Sequence, residues 1–123
     1  MSLRINTIRI FISDLEKALE FYQKTLKLNV ISKDLNSGWV QIEVAPAVYL
    51  GLEVLSQDED EFTELVGRFT GVSFGVDDIH TSYHQLTRLG VDFLGPPQTQ
   101  AWGGILAHFK DPDLNTFTLV QET

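Results

Sequence analysis

The sequence predicts an α+β fold of two βαβββ modules. They would form a cupped, partly closed mixed sheet with the helices on the outside. Three observations predict this. Strand-like alternation gives way to a helical stripe twice, at 7–28 and again at 71–90. The two stretches superimpose at one offset: Asp78 lies 64 positions after Asp14, and Ile8/Val72, Ile10/Phe74, Ile12/Val76 and Leu15/Ile79 repeat that 64. Short β-rich runs divided by turn residues come after each helix. One helix covers one face of a sheet, so the other face must be covered by something else or enclose a cavity.

The elements run in order. "TIRIFI" (7–12) alternates, with Ile8, Ile10 and Ile12 on one face. "SDLEKALEFYQKTLKL" (13–28) reads as a helix capped by Ser13 or Asp14, with acids early, lysines late and an apolar stripe of Leu15, Leu19, Tyr22 and Leu26. Strands are expected near 28–33, 38–44 and 48–54, the last two divided by "APA" (45–47). The acidic run "SQDEDEFTELVGR" (56–68) reads as a solvated connector with one helical turn from Asp60 to Val66. "GVSFGV" (71–76) alternates again. "DDIHTSYHQLTRLG" (77–90) is a helix with Ile79, Tyr83, Leu86 and Leu89 inward and Gly90 as its stop. Strands near 91–94, 104–110 and 115–121 complete the chain. Module one thus spans about 4–56, the connector about 57–70 and module two about 71–123.

"DPDLNTFTLVQE" (111–122) spaces Asp111, Asp113, Asn115 and Glu122 like a calcium loop. The sixth position of such a loop needs Gly, and Thr116 stands there inside a β-branched, aromatic run. The stretch therefore reads as an Asp-Pro turn feeding a strand.

Composition narrows the function classes. The 123 residues carry a net charge of −8, the opposite of the basic stripe that nucleic acid requires. No apolar run is long enough for a membrane span and no secretory signal is visible. The absence of cysteine excludes disulfides, thiolate metal sites and a Cys nucleophile, and favours the cytoplasm.

"ISDLEKALEFYQKTLKL" (12–28), "FGVDDIHTSYHQLTRLGV" (74–91), "WGG" (102–104) and "FKDPDLN" (109–115) together resemble the vicinal oxygen chelate superfamily of glyoxalases, bleomycin-resistance proteins, fosfomycin-resistance enzymes and extradiol dioxygenases. The resemblance spans nearly the whole chain and is nearest to the small bleomycin-resistance-like members. Metal-using relatives hold a divalent ion with His, Glu or Gln from strands one, four, five and eight. By resemblance those positions fall on Thr7, on Glu53 (or Gly51 in another register), on Gly71 and on Thr118. One carboxylate cannot replace the three or four ligands such ions take, so the family's metal is expected to be absent. The family commonly carries Gly where Leu114 stands. Small relatives commonly form homodimers, some building each cup from two chains.

Period two assigns the cup face to Thr7, Arg9, Phe11, Tyr49, Gly51, Glu53, Gly71, Ser73, Gly75, Thr116, Thr118 and Val120. So many small residues leave volume that a closed core would fill. His108, opposite in phase to Phe109, faces the same way. It reads either as a hydrogen-bonding or acid–base group or as a locally bonded strand histidine. Arg9 is an anion clamp or the partner of Glu53. Trp102 and Tyr49 stack on a ligand or pack at the rim. His80 and His84, four apart on a helix, read as a solvated face rather than a metal pair.

Two functions arise as expectations. The first is a metal-free binding module holding a small molecule through Thr7, Arg9, Phe11, Tyr49, Gly71, Ser73, Trp102, His108 and Thr118. The second is a lyase, isomerase or dioxygenase using Glu53 and His108, through an atypical metal site or metal-free acid–base chemistry.

Overall fold

The computed structural model describes residues 1–123 and divides into two compact units, Met1–Gly67 and Arg68–Thr123. In the first, β1 (Ile8–Ile12) leads into a helix, followed by β2 (Asn29–Asp34), β3 (Trp39–Ala45), β4 (Val48–Val54) and the short α2 (Phe62–Leu65). The sheet order is β1-β4-β3-β2, with β1 parallel to β4 and the other pairs antiparallel. The second unit repeats the plan. β5 (Phe69–Gly75) and α3 (Ile79–Arg88) precede β6 (Asp92–Phe93), β7 (Gln98–Thr99), β8 (Ile105–Lys110) and β9 (Thr116–Gln121). Its order is β5-β9-β8-β6, with β5 parallel to β9 and β7 also paired to β8.

The duplication is plain at both helix starts. Asp14 and Asp78 sit in extended backbone, and each carboxylate accepts the amide N–H three residues on, from Lys17 and Thr81, at 3.1 Å. Each bond satisfies one amide that the helix itself leaves without a partner. α3 ends on Gly90 at φ +94, where Gly90 N–H donates to Thr87 O and Val91 N–H to Leu86 O, a Schellman closure.

The first helix departs from the expected stripe. Regular α1 covers only Leu15–Leu19, and Glu20–Thr25 is a π-helical continuation in which Leu26 N–H reaches Phe21 O. The wider turn holds one residue more and rotates the positions after it. Ala18, Phe21 and Tyr22 are the buried residues, while Leu15, Leu19 and Leu26 are half-buried. This first helix stops one place later than the offset of 64 predicts, at Lys27 with φ +58.

β1, β3 and β4 bury one face each: Ile10, Ile12, Val40, Ile42, Leu50 and Leu52 all lie within 2% of full burial. The second unit is held by rings. Phe109 lies 5.7 Å from Phe117 and 5.6 Å from Phe93, and Tyr83 of α3 closes on Phe93 at 4.8 Å.

Two further differences from the sequence reading have simple causes. β5 begins at Phe69 rather than 71, because Arg68 O accepts from Thr116 N–H and Arg68 N–H donates to Asn115 Oδ1, drawing the connector's end onto β9. The short strand Gln98–Thr99 has no forerunner among the expected elements. It lies directly after Pro96 and Pro97, which have no N–H for a ladder, and its pairing to β8 is supplied from across the sheet.

Candidate functional site

In the first unit, strand pairing decides what shares a face. Arg9 is paired with Gly51 and Gly51 with Gln41; Phe11 is paired with Glu53 and Glu53 with Trp39. These rows lie on the face away from the buried isoleucines and leucines. Arg9 and Glu53 meet at 3.1 Å, with side chains 58% and 31% exposed, so the ion-pair reading holds. The guanidinium also stands 5.3 Å from the centre of the Phe11 ring. Phe11 is 7% exposed, so its ring is not open surface. Thr7, just before β1, bonds its hydroxyl to Asn6 Oδ1 at 2.8 Å. Tyr49 is half-buried on the same face.

Trp39 is absent from the candidates that the sequence suggests. Its indole lies directly across Gly51: a Cβ there would come within 2.7 Å of Cζ2 and 2.9 Å of Cζ3, and closer still to Cη2. Glycine is what allows the ring to lie against the strand. The alternation of "WVQIEV" (39–44) carries this signal, since Trp39, Gln41 and Glu43 are out of phase with buried Val40 and Ile42.

In the second unit, Ser73, Thr118 and His108 form one row across β5, β9 and β8. His108 Nδ1 and Thr118 Oγ1 share a 2.8 Å hydrogen bond, and Thr118 is buried. Phe69, exposed at the start of β5, stands edge-on to the imidazole at 6.1 Å between ring centres. Gly71 falls where the β5–β9 register shifts and has φ +75. Trp102 sits in the turn before β8 with its ring folded over Gly104, where a Cβ would lie 2.8 Å from Cε3; the residue is 58% exposed. His80 and His84 are both exposed on α3.

The Asp-Pro turn is closed by its own side chains. Asp111 is buried; its Oδ1 accepts from Asp113 N–H at 2.9 Å and Asn115 N–H at 2.8 Å, and its Oδ2 accepts from Asn115 Nδ2. These three bonds stay inside the turn, the arrangement of a hairpin and not of an ion loop. Leu114 takes the left-handed conformation there, with φ +68.

The duplication also relates the strand-four residues to those of the last strand. The helix caps make Arg9 the counterpart of Ser73. Arg9 is paired with Gly51 and Ser73 with Thr118, so Gly51, not Glu53, is the counterpart of Thr118. Glu53 lies one row further along the strand and faces Arg9.

A family model described as the Glyoxalase/Bleomycin resistance protein/Dioxygenase superfamily matches residues 4–119. The chain belongs to that superfamily. A solved superfamily member from Sphaerobacter thermophilus DSM 20745 is 32% identical, with a TM-score of 0.83 over 98% of both chains. TnmS3, described as an antibiotic binding protein from Streptomyces sp. CB03234, is 26% identical with a TM-score of 0.80, over 99% of this chain and 98% of its own. Among curated sequences, the uncharacterized protein YraH of Bacillus subtilis is 27% identical, over 92% of this chain and 94% of its own.

The glyoxalase superfamily's metal enzymes imply a divalent ion, and the donor set here does not fit one. Thr7 bonds Asn6, Gly51 and Gly71 have no side chain, and Thr118 is engaged by His108. The one carboxylate that the resemblance offers, Glu53, is engaged by Arg9. No group of three His, Cys, Asp or Glu side chains converges in either unit.

Proposed function

We propose that this superfamily member binds a small organic molecule without a divalent ion, on the sheet faces where metal-using relatives carry their ligands. One observation carries the reading. At the strand-four position that the duplication makes the counterpart of Thr118, the chain has Gly51, and an indole lies over it. An indole lying against backbone offers a stacking surface, and the Arg9–Glu53 pair lies on the same sheet face. Tyr49 on the same sheet is a further contact proposed; Ser73, His108, Thr118 and Trp102 are the contacts proposed on the second unit's own face. The similarity to TnmS3 supports binding over turnover. The acidic balance favours a ligand that is neutral or cationic.

The test is a thermal-shift screen against a library rich in planar, polycyclic compounds, then titration with tryptophan emission as readout. A hit raises the melting temperature and quenches Trp39 in a Trp102→Phe background. A library without a single stabilising compound counts against the proposal. So does one tightly held metal ion per chain after equilibration with Zn²⁺, Ni²⁺, Mn²⁺ and Fe²⁺ and desalting.

The enzymatic alternative is favoured by one feature, the imidazole of His108 fixed through Nδ1. Turnover of a screening hit that is lost in His108→Ala would establish it. We also propose a homodimer in the cytoplasm. The dimer's support is that β1 and β5 each end their own sheet, β1 with the single bridge Phe11–Val66 beyond it, and such edges are commonly covered by pairing. Light scattering showing only monomer would exclude the dimer. No helix is long and apolar enough to cross a membrane.

A further inference from the structure

β6 and β7 are two pieces of one strand interrupted beside β8. Phe93 pairs with Phe109 and Gln98 with Leu106, so five steps along one chain are matched by three along the other. Two residues are left over. They fall in "LGPP" (94–97), where neither proline can donate to the ladder. The segment bows away from β8, pinned at its start by Leu94 N–H on His108 O at 2.9 Å. Beneath the bow lies a cleft of about 160 Å³, lined among others by Leu94, Pro96, Gln98, Gln100, Leu106 and His108.

We propose that this cleft is a recognition subsite for one end of a ligand, and that the end it takes is a neutral group able both to donate and to accept hydrogen bonds, such as a carboxamide. It deepens the small-molecule reading above and rests on it. Size comes first. Pockets that enclose a whole drug-sized ligand run to roughly 300–1,000 Å³. At about 160 Å³ the cleft is roughly half the lower end of that range, room for one end of such a ligand.

Charge comes next. No carboxylate, ammonium or guanidinium lines the cleft. A charged group entering it would lose hydration without gaining a counter-ion. A purely apolar end would cover polar atoms of the lining that have no bond inside the cleft.

The polar atoms that remain give the third point. Gln100 Nε2 already donates to Gln98 O at 3.0 Å, which leaves its carbonyl oxygen to accept. His108 spends Nδ1 on Thr118, leaving Nε2 as the ring's remaining polar atom. Thr118 is thus a positioning residue: it touches the imidazole and fixes which nitrogen is left over.

The experiment uses three probes of near-equal size, benzamide, benzoate and benzylammonium, titrated into the full chain and monitored by two-dimensional NMR. Benzamide is expected to shift signals of Leu94, Gln98, Gln100, Leu106 and His108, saturating with a Kd on the order of 1 mM. The two charged probes should bind about tenfold more weakly or worse. Thr118→Val should leave the amide spectrum folded, shift the His108 Nδ1 signal, and weaken benzamide about threefold.

Charged probes binding as well as benzamide, or shifts mapping outside the cleft, would overturn the proposal. If Thr118→Val unfolds the chain, competition among the three probes on the unaltered protein still decides it. The two readings also fail separately. A planar ligand that quenches Trp39 while benzamide finds no site removes the subsite alone. Benzamide in the cleft with no ligand on Trp39 removes the stacking face alone.

Discussion

Replacing Gly51 by alanine tests the stacking face directly. The new methyl would lie 2.7 Å from Trp39 Cζ2, with Cη2 closer still. Carbon–carbon contacts are optimal at about 3.5–4.0 Å, so the indole has to retreat by about 1 Å or more. Overpacking of this kind costs about 1–3 kcal/mol. Alanine returns about 0.5 kcal/mol by restricting the unfolded chain, since Gly51 is not in the left-handed region. The net expectation is a loss of about 1–2 kcal/mol. For a chain of this length that lowers the melting temperature by roughly 3–8 °C. With Trp102→Phe as background, Trp39 is the sole indole. Its emission should shift to the red and become more accessible to acrylamide, and any ligand found by the screen should lose affinity. An unchanged melting temperature with unchanged emission would mean that the indole does not lie on Gly51, and that the sheet has no stacking face there.

Two further outcomes come from backbone and cap geometry. Leu114 holds φ +68 and is 55% exposed, and the left-handed conformation costs a residue with a Cβ about 1–2 kcal/mol. Leu114→Gly and Leu114→Ala lose the same packing, so glycine should be the more stable of the two by about 1 kcal/mol in urea denaturation; equal stabilities would contradict the assigned conformation. Asp78 is held below the ordinary carboxylate value of 3.8, chiefly by the Thr81 amide N–H. Because its folded value is depressed, its stabilising effect is complete above the ordinary value and is lost as pH falls through the lower folded one. A carboxyl NMR titration placing Asp78 at or above 3.8 would contradict this, and Asp78→Asn should flatten the acid limb of stability.

Strands and helix starts are legible in the sequence because they rest on local rules. The period-two runs at Ile8–Ile12 and Thr116–Gln121, and the two aspartate caps, need only their neighbours to be recognised. His108 is legible for the same reason, its phase being opposite to that of Phe109. The hidden features depend on partners far away in sequence. A carboxylate is the better ligand, so the sequence alone favours Glu53 over Gly51 as the strand-four site. Only the pairing of Arg9 with Gly51 shows which row is equivalent to Thr118. Trp39 reads as an ordinary strand aromatic until the glycine beneath it is known. The cleft beside β8 is hidden because a double proline signals a loop, while the strand that resumes at Gln98 is supported from across the sheet.

The π-helical turn at Glu20–Thr25 has a consequence for how this chain tolerates length changes. An extra residue inside a helix ordinarily turns everything downstream by about 100° and would carry the next strand out of phase. Here the disturbance ends within one turn. Leu28 N–H reaches back to Tyr22 O, Lys27 takes the left-handed conformation, and Asn29 enters its strand opposite Glu43. The helix therefore acts as a buffer. Its π-helical turn takes up one residue while the chain still arrives in register. Removing one position from this segment should yield a shorter, regular helix like Ile79–Arg88, with glycine rather than lysine the natural choice at its stop.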